Sequence, residues 1–146
     1  MSHLAGRGIL SALLVLLVHV AAWAEPVPVT ITSLDPRFDQ LVPKNAQVEK
    51  IADGFTWVEG PVWHKQGGYL LFSDIPANRV YQWKPGKGTS VYLKNSGYSG
   101  STPFAGKEPG SNGLTFSADG QLYLCRHGDR QIGRLEADGR ITPVAA

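Results

Sequence analysis

A pattern roughly fifty residues long occurs twice in this chain, and no other feature restricts its fold as strongly. Glu59-Gly60-Pro61-Val62-Trp63 opens one copy, and Asn112-Gly113-Leu114-Thr115-Phe116 opens the other 53 residues later. Each opening is an oxygen-bearing side chain, a glycine, two further residues and an aromatic. Tyr69-Leu70-Leu71-Phe72-Ser73-Asp74 and Arg79-Val80-Tyr81-Gln82-Trp83 follow in the first copy. Gln121-Leu122-Tyr123-Leu124-Cys125-Arg126 and Arg130-Gln131-Ile132-Gly133-Arg134-Leu135 follow in the second. Pro85-Gly86-Lys87-Gly88 and Asp138-Gly139 then lead into a last apolar run in each copy.

The runs are short, rich in β-branched and aromatic residues, and separated by Gly, Asp, Asn and Pro, the marks of antiparallel strands joined by tight turns. Several are almost continuously apolar, which suits a sheet covered on both faces. Four strands repeating at about fifty residues read as one blade of a β-propeller. The expected fold class is therefore all-β, with a partial propeller over residues 47–146. Its first blade runs over about 55–94 and its second over about 111–146. A propeller usually needs at least four blades, so the chain is expected to be the front part of a longer one.

On successive blades, Glu59 and Asn112 occupy equivalent corners facing one central channel. A carboxylate and a carboxamide there are candidates for binding a hard cation or a polar substrate. Asn112 also stands before a glycine, and Asn-Gly is in its own right a turn dipeptide. Asp74 is expected to hydrogen-bond the following turn through Asn78. His127 is a candidate polar or proton-shuttling group at the channel mouth, with a turn role as the alternative. His64 should point opposite to Trp63 and serve the packing.

The stretch Asn95–Gly110 carries four glycines and Pro103 and links the blades. It reads either as a lid, with Tyr98 and Phe104 as ring-stacking groups, or as a disordered connector.

The N-terminus resembles an export signal. Arg7 precedes an apolar run from Ile9 to Val20, and Ala22-Trp23-Ala24 forms a small-x-small cleavage site. The run is too short for the roughly 20 apolar residues of a membrane span. Residues 1–24 are thus expected to be a signal peptide, the product to be periplasmic or secreted, and no stable membrane insertion to remain. Residues 25–46 form a lead-in with one short helix begun by Asp35 and Pro36 and stopped by Pro43. Gln47 to Ile51 adds a strand.

The formal net charge is +2, from 14 Lys and Arg against 12 Asp and Glu. The basic residues are scattered, so nucleic-acid binding lacks its electrostatic footprint. The lone Cys125 allows no internal disulfide, and its mid-strand place predicts a buried, inert thiol. No CxxC, HExxH or GxSxG occurs, which removes the usual redox, zinc and serine-hydrolase readings.

The segments from Phe55 to Trp63, from Phe72 to Val80 (with Ser73-Asp74-Ile75) and from Ser111 to Leu114 resemble the gluconolactonase, regucalcin and luciferin-regenerating enzyme family. Asp35-Pro36-Arg37-Phe38 and Cys125-Arg126-His127-Gly128 are similar to its secreted bacterial members. The resemblance runs from about residue 34 to the end. It implies a six-bladed propeller of about 300 residues with a divalent cation, usually calcium, in the channel, hydrolysing sugar lactones. By position, Glu59 matches the first metal ligand, and Asn112 matches a channel asparagine that contacts substrate or metal-bound water. The other two ligands, an Asn and an Asp that is also the base, belong to later blades. No catalytic residue is therefore expected within this chain. Regucalcin-like members carry Arg two residues before the channel Asn, where Gly110 stands here.

Such an ion would polarise the lactone carbonyl while a carboxylate takes a proton from attacking water. Two other readings stand beside this one. The chain is a propeller-type binding module for a sugar acid or protein, or a half-domain that self-associates through its open blade edges.

Overall fold

The structure, a computed structural model, describes residues 25–146. The signal-peptide reading of residues 1–24 lies outside them. Among the described residues no helix is long and apolar enough to cross a membrane.

Strands β1 (Glu25–Val27) and β2 (Val48–Lys50) pair as a small antiparallel ribbon. The lead-in helix shrinks to a single 3-10 turn over Phe38–Gln40. Asp35 does not act as an α-helical N-cap. It closes an Asx turn, accepting the Arg37 backbone N–H at 2.8 Å and the Arg37 guanidinium at 2.6 Å.

Two four-stranded antiparallel sheets follow, each meandering in chain order. Blade one comprises β3 (Val58–His64), β4 (Tyr69–Asp74), β5 (Arg79–Lys84) and β6 (Gly88–Lys94). Blade two comprises β7 (Ser111–Phe116), β8 (Leu122–Arg126), β9 (Gln131–Leu135) and β10 (Ile141–Ala145). The first strands of the two blades, β3 and β7, lie side by side, and β4 also touches β7. This is a partial β-propeller of two blades.

The blades bury one shared core. Leu71 and Val80 of blade one meet Leu122 and Leu124 of blade two, with Val62, Tyr69, Leu93, Leu114, Phe116 and Leu135 packed around them. Each fully buried Leu or Val contributes about 2 kcal/mol by leaving water. Phe72 turns to the opposite face of β4, against Phe55 and Tyr81 at ring separations of 4.9 and 5.9 Å. That two-sided cover explains the near-continuous apolar run of β4.

Alternation along β8 corrects the expectation for Cys125. Leu122, Leu124 and Arg126 face blade one and are buried, whereas Cys125 faces the free side of blade two and is exposed. His64 fills the packing role expected of it. Its ring stacks on Tyr69 at 4.6 Å and meets Phe116 edge-on at 4.8 Å, while Nδ1 accepts the Gly67 N–H at 2.8 Å.

Candidate functional site

Glu59 and Asn112 stand near the starts of β3 and β7, each at an irregularity in its sheet. Register shifts between Glu59 and Val62 in blade one and between Ser111 and Leu114 in blade two. Gly60 makes the approach of the two strands possible. Its φ is +58°, and a Cβ there would lie 2.3 Å from the Asn112 carbonyl oxygen and 2.9 Å from the Leu114 nitrogen. No residue with a side chain fits that gap. The Asn112 carboxamide consequently donates from Nδ2 to Glu59 Oε2 at 3.3 Å.

Buried hydroxyls hold the Asn112 backbone from behind. Ser73 Oγ lies 3.1 Å from the Asn112 carbonyl and 2.8 Å from Ser111 Oγ, and Ser111 donates its N–H to Ser96 Oγ at 3.1 Å. All three serines have no exposed surface. A hydroxyl has one proton, and a carbonyl only accepts. Ser73 therefore donates to Asn112, and Ser111 donates to Ser73. Sequence reasoning missed this network. The serines flanking Asp74 and Asn112 were its only trace.

Asp74 does not bond Asn78. It accepts the backbone N–H groups of Thr56 at 3.3 Å and Trp57 at 3.1 Å, tying down the segment that leads to Glu59. Asn78, at φ +53°, turns instead to the interblade loop. Its carboxamide donates to the Tyr98 carbonyl and accepts from Gly97 and Tyr98 N–H at 2.9 to 3.2 Å.

The same end of the loop is also tied to blade two. Arg126, only 5% exposed, pairs with Asp129 at 2.7 Å and donates to the Ser96 and Asn95 carbonyls at 3.1 and 3.3 Å. Asp129 accepts the Ser99 N–H and hydroxyl at 3.0 and 2.7 Å. Burying a pair of charges is offset only when their remaining hydrogen-bonding capacity is met, and here the loop meets it. Between the lid and connector readings, the loop is at least an ordered element clamped to both blades.

His127 is half exposed. Its Nδ1 lies 2.8 Å from the Glu108 carbonyl, which as an acceptor places the ring proton on Nδ1. With Asn112, Gln131 and Ile132 it lines an open cleft on the free side of blade two. Glu59 and Asn112 are thus in contact, and His127 shares a wall with Asn112. Among the described residues no group of three or more His, Cys, Asp and Glu side chains is placed to hold a metal ion.

Residues 57–146 match the SMP-30/Gluconolactonase/LRE-like region. The chain belongs to that family. A gluconolactonase of Zymomonas mobilis is 43% identical over 108 residues, which are 73% of this chain and 30% of that protein. Among solved structures, a gluconolactonase from Xanthomonas campestris superposes with a TM-score of 0.67 at 27% identity, covering 88% of this chain and 39% of its own. A putative gluconolactonase gives 0.60 at 31% identity, with 77% of this chain and 35% of its own covered. This gluconolactonase-family chain therefore spans about a third of the length of its relatives. Its Gly110 is fixed by packing: the N–H donates to the Ile75 carbonyl at 2.9 Å, and a Cβ would stand 2.5 Å from that oxygen. The arginine of regucalcin-like members has no room on this backbone.

Proposed function

We propose that this chain carries one side of the active site of an exported, metal-dependent sugar-lactone hydrolase. The observation that carries the reading is the meeting of the Glu59 carboxylate and the Asn112 carboxamide across the seam of two adjacent first strands. Both are hard oxygen-bearing groups suited to a calcium-like ion, though they supply only part of the six to eight oxygens calcium takes. The remaining ligands and the general base come, in this proposal, from outside the two blades. A bound divalent cation would polarise the lactone carbonyl.

The residues present have definite tasks. Glu59 brings the negative charge. Asn112 orients that carboxylate through one Nδ2 hydrogen and can offer the other to a substrate oxygen. The serine network holds the Asn112 backbone against drift. His127, protonated at Nδ1, leaves the Nε2 lone pair to receive a substrate hydroxyl proton in a hydrogen bond. The ester bond that breaks is the lactone C–O; water supplies the hydroxyl of the acid, and the ring oxygen takes the proton.

Hydrolysis of glucono-1,5-lactone tests the reading, with calcium or EDTA, on this chain alone and on this chain joined to the later blades of a gluconolactonase relative. EDTA-sensitive turnover only in the joined protein is expected. Absence of turnover in both, with lactone or sugar acid still bound, would overturn the enzyme reading and leave a binding module.

A second reading has its own observation. Val58 is 51% and Ile132 42% exposed, on faces turned away from the shared core. A mainly apolar cleft of about 230 Å³ lies between Ile51, Phe55, Val58, Pro61 and Phe72. Chains joined through such faces would form a discrete oligomer, visible by sedimentation equilibrium.

A further inference from the structure

A second cavity, of about 510 Å³, opens beside the first site under the interblade loop. Phe104, Gly106, Lys107 and Glu108 form its loop side, and His127 and Arg130 form its blade side. His127 also lines the Asn112 cleft, so one imidazole is the party wall of both spaces. The loop side is preformed. Asn78 and the Arg126–Asp129 pair clamp residues 95–99, the His127 ring holds the Glu108 carbonyl, and Phe104 packs against Tyr98 at 5.1 Å.

The charges are unbalanced. Lys107 and Arg130 bring two cations against the single carboxylate of Glu108, which lies 3.8 Å from His127 Nδ1. Neither Lys107 nor Arg130 forms an ion pair among the described residues. Arg130 sits at φ +57°, a backbone conformation that favours glycine, in the turn joining β8 and β9. Its exposed side chain is a long cation carried on that turn, lining the cavity.

We propose that this cavity is an anion-accepting outer subsite. It binds a carboxylate or phosphate group through Lys107 and Arg130, with Phe104 covering the carbon chain. That the anion belongs to the far end of a sugar acid or lactone rests on the lactone reading; the anion site itself does not.

The test uses the full chain, labelled with nitrogen-15. Inorganic phosphate should shift the backbone amides of Gly106, Lys107 and Arg130, and phosphate that leaves them unmoved overturns the subsite. Gluconate, glucarate and gluconate 6-phosphate are then titrated at equal ionic strength. One added charge-assisted contact predicts roughly tenfold tighter binding for whichever far-end anion fits, glucarate if carboxylate and the phosphate ester if phosphate. Lys107→Ala/Arg130→Gly should abolish that gain, and Lys107→Arg should keep it. Equal affinity for all three acids, or a gain that survives the double variant, overturns the proposal. Phosphate shifts without gluconate binding would support the anion subsite by itself, and turnover in the protein joined to later blades decides the lactone reading separately.

Discussion

The Asn112 carboxamide reaches the Glu59 carboxylate at 3.3 Å across the seam between blades, although 53 residues separate them. The contact exists because Gly60 has no side chain. In its place a Cβ would drive into the Asn112 carbonyl at 2.3 Å. Gly60→Ala should therefore destabilise the chain by about 3 kcal/mol, from positive φ plus steric separation of the strands. Gly120, at φ +86° with open space around it, is the control. Gly120→Ala should cost about 1 kcal/mol. Urea denaturation of both variants measures the difference, and equal losses would show that interblade contact is not the cause.

Glu59→Gln keeps the side-chain shape and removes the charge. Glu59 is half-buried, and the amide keeps an oxygen to accept from Asn112 Nδ2, so stability should change by less than about 1 kcal/mol. In the protein joined to later blades, calcium-dependent lactone hydrolysis should fall at least about a hundredfold, since a hard cation loses its carboxylate. Turnover within twofold of wild type would remove Glu59 from the metal site.

Arg126→Met leaves Asp129 buried without its partner. The expected cost is about 3 to 5 kcal/mol. Hydrogen exchange should quicken first at Ser99, whose N–H the Asp129 carboxylate accepts, and at Asp129, whose N–H the Gly97 carbonyl accepts. Uniform quickening across blade two, with the loop still protected, would contradict the clamp.

Ser73→Ala removes the donor to Asn112 and the acceptor of Ser111. About 1 to 2 kcal/mol should be lost, as expected for buried polar groups left unsatisfied. Adding Ser111→Ala should cost less than the sum of the two single changes, because they share one hydrogen bond. Full additivity in chemical denaturation would show that the hydroxyls act independently.

Tyr69 supplies a pH dependence. Burial foremost, with Tyr92 beside it, pushes its phenol up to about 12. The neutral phenol is thus favoured in the folded chain. Its stabilising contribution is whole below about pH 10, the unfolded value, and is lost as pH rises toward 12. Stability of the native chain should fall across that window more steeply than that of Tyr69→Phe. Identical slopes would exclude Tyr69 as the source.

Much of the architecture was legible in the residues. The Glu-Gly-Pro-Val-Trp and Asn-Gly-Leu-Thr-Phe openings, the apolar runs and their turn residues marked out two four-stranded units, and the structure builds them as adjacent blades. The site was legible only in part. Asn78 and Asp74 lie four residues apart and looked like partners, yet each is recruited by a segment about twenty residues away. Cys125 looked buried because of its mid-strand place, but a one-residue step along a strand reverses the face. Arg126 carried no sign that it would become a buried clamp.

The division follows from the range of the forces involved. Period-two alternation, glycine and asparagine turns and the repeat itself are local properties, so this chain's strands and their grouping into blades were determined by the sequence alone. Which oxygen meets which nitrogen depended on how closely β3 and β7 could approach and on where the loop between the blades came to rest. Packing between distant segments decides that. The tertiary structure alone therefore joined Glu59 to Asn112, fixed the His127 proton on Nδ1 and shaped the open cleft beside Phe104.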